Sequence, residues 1–356
     1  MQRPTAGPET PPFAALTPDV ILNAVDSVGL CTSGRLLALN SYENRVFQVG
    51  LEPPRADAAA GDLGPGSAEP ESVVVKFYRP ARWPDEAIRE EHAFEAELAA
   101  SEVPAVPPLV LGGATLHRHA DFRFAVFPRR GGRAPELSDP AVRRRIGRFI
   151  GRLHEVGAAN RYRARPALDI ETFAIEPSRY LAGHGWLPPE LLEVYRGVVG
   201  QALDGLRAAF DRAGPVHSIR LHGDCHEGNL LWSEAGPQPG PHFVDFDDSR
   251  MGPAIQDLWM LLSGDRESMS RQLGDLLTGY EDFAAFDRRE LHLVEALRTL
   301  RLIHYSAWIA RRWDDPAFPA AFPWFDTPRY WEARILELRE QVAAMQEPAL
   351  ELPRWR

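Results

Sequence analysis

Residues 19–30 (DVILNAVDSVGL) carry apolar positions at helical spacing and predict a short helix. From Leu36 to Val49 the pattern becomes strand-like, broken by Asn40-Ser41-Tyr42-Glu43-Asn44, which predicts two strands joined by a polar turn. Ser72 to Tyr78 is a β-branched run and reads as a buried strand. Its period-two alternation sets Val74 and Lys76 on one face and Val73, Val75 and Phe77 on the other. Residues 84–101 show a helical stripe of Ile88, Glu91, Phe94 and Leu98, with Pro84 at the start and Asp85 and Glu86 in the first turn as entry signals. Further strands are predicted near 109–118 and 122–128. Beyond them helical patterns dominate, at about 138–156, 188–213, 254–263, 267–284, 287–313 and 328–346, interrupted by a strand–turn–strand region at 219–247. The expected fold class is α+β with two lobes: a small, mostly antiparallel sheet lobe with one inserted helix over residues 1–128, a hinge at 129–133, and a larger, mostly helical lobe over 134–356. Residues 1–18 are Pro-rich and read as a loose arm. Residues 50–71, rich in Gly, Pro, Ala and acids, read as a flexible hairpin insertion.

A chain of 356 residues with 44% hydrophobic and 25% charged positions is long enough for two lobes, each with its own core. The net charge of −10 removes any overall basic footprint for nucleic acid, so no nucleic-acid partner is expected. Cys31 and Cys225 are too few for a disulfide framework, the N-terminus has no apolar core of a secretory signal, and no long apolar stretch predicts a membrane span. A cytoplasmic monomer is the expectation. One count alters the picture: Lys76 is the sole lysine among 40 basic residues. A bias toward Arg explains the other 39, and it implies that position 76 needs a compact point charge with no planar fork.

The candidate chemistry lies in Leu221-His222-Gly223-Asp224-Cys225-His226-Glu227-Gly228-Asn229-Leu230-Leu231-Trp232, followed sixteen residues after Asn229 by the run Asp245-Phe246-Asp247-Asp248. The intervening turn-rich tip predicts a β-hairpin, which brings Asn229 and Asp245 toward one point. A carboxamide and a carboxylate suit Mg²⁺, which takes few protein ligands and leaves positions for water and phosphate. Asp224, in the preceding loop, is placed to orient a hydroxyl and accept its proton, and His222 to brace the loop. Zinc at His222, Cys225 and His226 is disfavoured by the lack of a distant fourth ligand. His-x-Asp-x-x-x-x-Asn followed by a strand-end Asp matches the catalytic loop and metal Asp of kinases. Kinase chemistry also demands a strand lysine paired with a helix carboxylate, here Lys76 and Glu91. The turn at 40–44 lacks the glycines of a phosphate loop, leaving the Ser41 hydroxyl or turn N–H groups as candidate phosphate contacts.

On these residues the chain resembles the aminoglycoside phosphotransferase and choline kinase branch of the protein-kinase-like fold. More narrowly, it is similar to the bacterial stress response kinase A family, through LNSYENRVFQV (39–49), VVKFYRPARW (74–83), EEHAFEAEL (90–98), FAVFPRRGGR (124–133), LHGDCHEGNLLW (221–232), FVDFDDSRMGPAIQDLWMLLSGD (243–265) and RRWDDPAFPAAFPWF (311–325). The resemblance implies a cytoplasmic serine/threonine protein kinase using ATP and Mg²⁺. Asp224 is then the general base, Asn229 and Asp245 hold the metal, Ser41 contacts ATP, Lys76 and Glu91 pair, and Asp257 braces the catalytic loop. It makes residues 1–128 the nucleotide-binding lobe and 134–356 the catalytic and substrate lobe. Two alternatives stand beside it. One is a small-molecule kinase, in which Asp247, Asp248, Glu281 or Asp282 would serve a cationic acceptor. The other is a nucleotide-binding pseudokinase scaffold, against which the joint retention of Lys76, Asp224, Asn229 and Asp245 argues.

Overall fold

The computed structural model describes residues 11–53, 71–234 and 240–352. Most of the expected N-terminal arm, nearly all of the 50–71 insertion and the tip of the 230–243 hairpin lie outside the described residues. In chain order the elements are α1 (Pro18–Asp26), β1 (Thr32–Ala38), β2 (Arg45–Leu51), β3 (Ser72–Phe77), α2 (Asp85–Ala100), β4 (His117–His119), β5 (Phe122–Pro128), α3 (Pro140–Ala159), α4 (Glu176–Gly183) and α5 (Pro189–Ala213). There follow β6 (Ile219–Arg220), β7 (Leu230–Ser233), β8 (Gly240–Phe243), β9 (Met251–Gly252), α6 (Gln256–Trp259), α7 (Arg266–Tyr280), α8 (Val294–Ala310), α9 (Ala317–Ala321) and α10 (Pro328–Ala344). Backbone contacts gather them into two units, one of Pro12–Pro135 with Gly228–Asp247, the other of residues 136–227 with 248–352. No helix among the described residues is long and apolar enough to cross a membrane.

The first unit is an antiparallel sheet in the order β1-β2-β3-β5-β4. The predicted alternation in β3 is met: Val73, Val75 and Phe77 enter a core with Val49, Phe122, Phe124 and Val126, closed by Ile21, Ala24 and Val25 of α1. Lys76 points to the opposite face, in register with Val46 on β2 and Ala125 on β5. On that face Ile88 of α2 packs with Tyr78 and Ala125. The first helix stops at Asp26, short of the expected span, and Gly29 at φ +89° then turns the chain into a left-handed conformation that a helix cannot continue through. The strand expected near 109–118 shrinks to His117–His119. Gly112 and Gly113 both take positive φ, and Leu111 and Ala114 exchange hydrogen bonds across a turn instead of extending. The hairpin forms as expected, pairing Leu230 with Phe243 and Ser233 with Gly240.

The second unit is helical, with β6 and β9 as a two-residue antiparallel pair. The single helix expected at 287–313 is divided: Asp287 caps a 3-10 turn at Arg288–Leu293, and α8 follows. The helix α4 was not visible as a pattern, because it is short, opens with Pro177 and is preceded by a π-turn at Glu171–Ile175. At 254–263 only Gln256–Trp259 is α-helical.

Three glycines determine how α3 meets α7. A Cβ on Gly147 would fall 1.9 Å from the Leu276 carbonyl oxygen, one on Gly151 would fall 2.3 Å from that of Tyr280, and one on Gly279 would fall 1.9 Å from that of Arg144. The two helices therefore lie backbone against backbone, and this close approach brings His154 Nδ1 to 3.0 Å from the Tyr280 hydroxyl. Since neither backbone can yield locally, Gly151→Ala is expected to destabilise the protein by about 1–3 kcal/mol or more. Chemical denaturation should show a lowered midpoint, and an unchanged midpoint would contradict the packing described.

Candidate active site

Lys76 is the centre of the first unit's polar cluster. Its side chain is 7% exposed, with Nζ 3.0 Å from Asp245 Oδ1, 3.4 Å from Glu91 Oε1 and 3.4 Å from Asp247 Oδ1. Burial alone would push the ammonium pKa down, but the carboxylates of Asp245, Asp247 and Glu91 hold it well above its ordinary value. Nζ also lies 5.2 Å from the Tyr78 ring centroid. Glu91 is fully buried on the inward face of α2, as its place in the apolar stripe predicts. An unpaired carboxylate there would be costly, and Lys76 supplies the counter-charge.

Asp245 and Asn229 flank the hairpin. The Val244 N–H donates to the Asn229 carbonyl at 3.1 Å, so the hairpin's end pairs the residue before Asp245 with Asn229. Asp245 adopts φ +61°, a left-handed conformation uncommon outside glycine, and its side chain is 54% exposed. The chain thus bends sharply where the strand ends, leaving one carboxylate both bonded to Lys76 and open to a ligand.

The turn between β1 and β2 is held by side chains. Asn44 Nδ2 donates to Asp247 Oδ2 at 3.1 Å, and Asn44 Oδ1 accepts from the Arg79 N–H at 3.0 Å. Arg82 bonds Asp247 Oδ2, and Arg79 Nε lies 3.0 Å from Glu43 Oε1. Ser41 sits in this turn with its hydroxyl donating to the Asn44 carbonyl at 3.2 Å. The sequence pattern pointed neither to Asn44 nor to Arg79 and Arg82 as parts of the cluster. Asp247, read from sequence as an anchor for a cationic acceptor, is instead buried, ion-paired with Lys76 and hydrogen-bonded to Arg82 and Asn44.

The second unit carries the loop after β6. Asp257 is fully buried, and its carboxylate accepts from the His222 N–H at 2.7 Å and the Gly223 N–H at 2.8 Å. His154 Nε2 lies 3.1 Å from the same carboxylate. Two backbone donors and an imidazole thus converge on one anion, and Tyr280 holds the imidazole from its other nitrogen. Gly223 has φ +87°, and a Cβ there would fall 2.2 Å from the Asp248 carbonyl oxygen. The Ser249 hydroxyl, donating to the Leu221 carbonyl at 2.6 Å, secures the start of the loop.

Asp224 follows, one-fifth exposed, with Oδ1 2.5 Å from Arg301 Nη1 and Oδ2 3.4 Å from His226 Nε2. Burial raises its pKa, but the His226 hydrogen bond and the Arg301 charge outweigh burial and hold the carboxyl well below the usual carboxylate range. A narrow cavity of about 50 Å³ opens beside it, with Phe173, Asp248, Arg250, Arg301 and His304 in its wall. Arg250 Nη2 bonds Asp248 Oδ1 at 2.7 Å, and its guanidinium lies 4.6 Å from the Phe173 ring centroid. His304 stacks on the same ring at 4.4 Å, and burial together with the Arg250 charge pushes its pKa down to about 3, so it is neutral. Glu281 and Asp282, the other acidic candidates, are surface partners of Arg288 and Arg148.

The phosphotransferase enzyme family matches residues 36–294. Stress response kinase A of Escherichia coli O157:H7 is 40% identical over 340 residues, spanning 96% of this chain and 97% of that one. A serine/threonine protein kinase RdoA of Salmonella typhimurium is 39% identical over 342 residues, with the same coverage. Among solved structures, an amicoumacin kinase in complex with AMP-PNP, Ca²⁺ and Ami has a TM-score of 0.68 at 16% identity, covering 94% of this chain and 95% of that one. A microcompartment-associated aminopropanol kinase has a TM-score of 0.64 at 19% identity, covering 94% and 100%. At these identities the two structures establish the protein-kinase-like fold.

The bracing of the 222–226 loop is testable without any substrate. Asp257→Asn replaces an acceptor oxygen with an NH₂ group that must face a backbone N–H, removing charge-assisted bonds worth about 1.5–3 kcal/mol. Faster hydrogen exchange at the His222 and Gly223 amides, with a lowered denaturation midpoint, is the expected outcome. Unchanged protection at both amides would refute the brace.

Proposed function

Because this chain belongs to the phosphotransferase enzyme family and, within it, to the stress response kinase A family, we propose that it is an ATP- and Mg²⁺-dependent serine/threonine protein kinase acting in the cytoplasm. The observation that carries the reading is Lys76, a buried ammonium within 3.0 to 3.4 Å of Glu91 on α2 and of Asp245 and Asp247 just after β8. Lys76 and Arg82 against Glu91, Asp245 and Asp247 leave one negative charge in surplus, and the most exposed carboxylate, Asp245, sits at the hairpin end beside Asn229. A divalent cation with its polyphosphate is the complement of that charge pattern.

The donors fit Mg²⁺, since a carboxylate and a carboxamide are hard oxygen ligands. Mg²⁺ takes few protein ligands, so water and phosphate oxygens would complete its shell there. Bound there, Mg²⁺ would neutralise charge on the phosphates. Lys76 supplies a point charge to the nucleotide phosphates, Glu91 holds that charge in place, and Ser41 contacts ATP from its turn. Asp224 accepts the proton of the attacking hydroxyl as its oxygen bonds the γ-phosphorus and the bond from that phosphorus to ADP breaks. With its pKa held low, Asp224 stays ionised at neutral pH, ready to take the hydrogen bond of an incoming hydroxyl.

A protein hydroxyl, in preference to an amino alcohol, is supported by the name of the Salmonella relative and by the cavity itself. Its two carboxylates, Asp224 and Asp248, are each matched by an arginine, so its acidic lining is not left free for an ammonium group.

Label transfer from γ-³²P-ATP to a panel of proteins, amino alcohols and aminoglycosides tests the proposal. Label on protein serine or threonine is expected, with Asp224→Ala lowering the rate by about 10²- to 10⁴-fold. Label on a small alcohol alone, or ATP binding without turnover, would replace the reading with one of its alternatives, and near-normal transfer by Asp224→Ala would remove the assigned base.

Lys76→Arg is the sharper variant. It retains the charge, but a planar fork cannot occupy a site shaped by three carboxylates around one nitrogen. A fall in kcat/KM for ATP of at least about tenfold is expected, and wild-type kinetics would remove the special status of the lone lysine.

A further inference from the structure

The cavity beside Asp224 has a wall that nothing in the kinase motif anticipates. Leu297, Leu300, Arg301 and His304 line it from α8, at the spacing that stacks side chains on one helix face. The apolar members of that face fit a core helix, but Arg301 does not: its side chain is 42% exposed and its Nη1 is 2.5 Å from Asp224 Oδ1. Arg250 stands in the same wall, bonded to Asp248 and lying over Phe173. His304 carries no charge to add or subtract. Both carboxylates that face the cavity are thus already engaged by guanidinium groups, and no acidic side chain in its lining is left unmatched for an ammonium ion.

We propose that Arg301 is a specificity-determining residue: it favours acceptor hydroxyls with a carboxylate close by, such as a serine or threonine next to an acidic residue, and disfavours hydroxyls next to an ammonium. The inference rests on Asp224 being the base of a protein kinase and names the acceptor class of that site. A hydroxyl that reaches Asp224 must come within hydrogen-bonding distance of its carboxylate, hence within a few ångströms of the Arg301 guanidinium. Charges on the residues flanking the acceptor then lie inside the screening length of about 8 Å at physiological salt, where the guanidinium still acts on them. Arg301 has more donors than the one it commits to Asp224. Its planar fork matches a carboxylate in geometry as well as charge.

The experiment uses the full chain, γ-³²P-ATP and three peptides of equal length, each with one serine flanked on both sides by Asp, by Ala or by Lys. With wild type, kcat/KM is expected to fall in the order Asp, Ala, Lys, the extremes differing by about tenfold or more and the difference shrinking as salt is raised. Arg301→Gln is expected to bring the three peptides within about twofold of one another, mainly through KM, and Arg301→Lys to restore most of the order by restoring the charge. A residue that only braced Asp224 would behave differently, because its loss lowers kcat on all three peptides by one common factor and leaves their ratio intact. Equal use of the three peptides by wild type overturns the inference while leaving the protein-kinase reading standing, and so does an Arg301→Gln enzyme that keeps the wild-type order. Should Arg301→Gln fail to fold, the wild-type order, its salt dependence and Arg301→Lys still decide. Label on an amino alcohol with none on any peptide overturns the protein-kinase reading and the inference together.

Discussion

A single desolvated ammonium organises the sheet unit. Lys76 lies on the central strand, and burying a charge there is tolerable only if opposite charges come to it. They come from three places: Glu91 from α2, Asp245 from the end of the hairpin, and Asp247 from the 3-10 turn that follows. Each pairing fixes an element. Glu91 sets the rotation of α2 so that Ile88 and Phe94 face inward with it, and Asp247 reaches on to Asn44 and Arg82 to hold the β1–β2 turn. Removing any one carboxylate would leave the others with an altered balance, so the cluster acts as a unit whose members are not independently replaceable.

The helical unit solves a mirror-image problem with a buried anion. Asp257 is stabilised by two backbone N–H groups and by His154, which is itself held by Tyr280. The loop that presents Asp224 therefore takes its shape from a residue thirty-three positions downstream, and that residue takes its support from the glycine-lined contact of α3 with α7. Bulk packing and site geometry are connected through one chain of contacts. Glycines at Gly147 and Gly151 matter to the loop because they permit the helix approach that brings His154 and Tyr280 together.

What was legible in the sequence follows from these physics. Period-two alternation exposed the two faces of β3, and a carboxylate inside an apolar stripe marked Glu91 as needing a partner. The hairpin was legible because apolar runs bracket a turn-rich tip. The resemblance extended the reading to Asp257, which no periodicity would have singled out. Other features left little local trace. Asp247 belongs to an Asp-Asp pair, a pattern usually solvated, and only tertiary contact reveals it as buried. The short strand β4 was overextended because the apolar residues near 109–116 suggest pairing, although Gly112 and Gly113 at positive φ turn the chain away. Helix α4 is too short, and too disturbed by Pro177 and the π-turn before it, for a 3.6-residue period to register.

Arg301 was illegible for a different reason. Arginine is the default cation of this chain, with 39 of 40 basic positions, so one more in a helix carries no local signal. Its meaning comes from contact with a carboxylate seventy-seven positions upstream. The two exceptional cations thus reverse each other's logic. Lys76 stands out in sequence because it departs from a compositional habit, and its surroundings reward a compact head that three carboxylates can share. Arg301 conforms to the habit, and what its site uses is a positive charge on a long stem, which bonds Asp224 while staying 42% exposed at the cavity wall. Composition alone therefore separates what was imposed on this chain from what was selected only where the prevailing residue is refused. Where it is retained, the distinction must come from geometry.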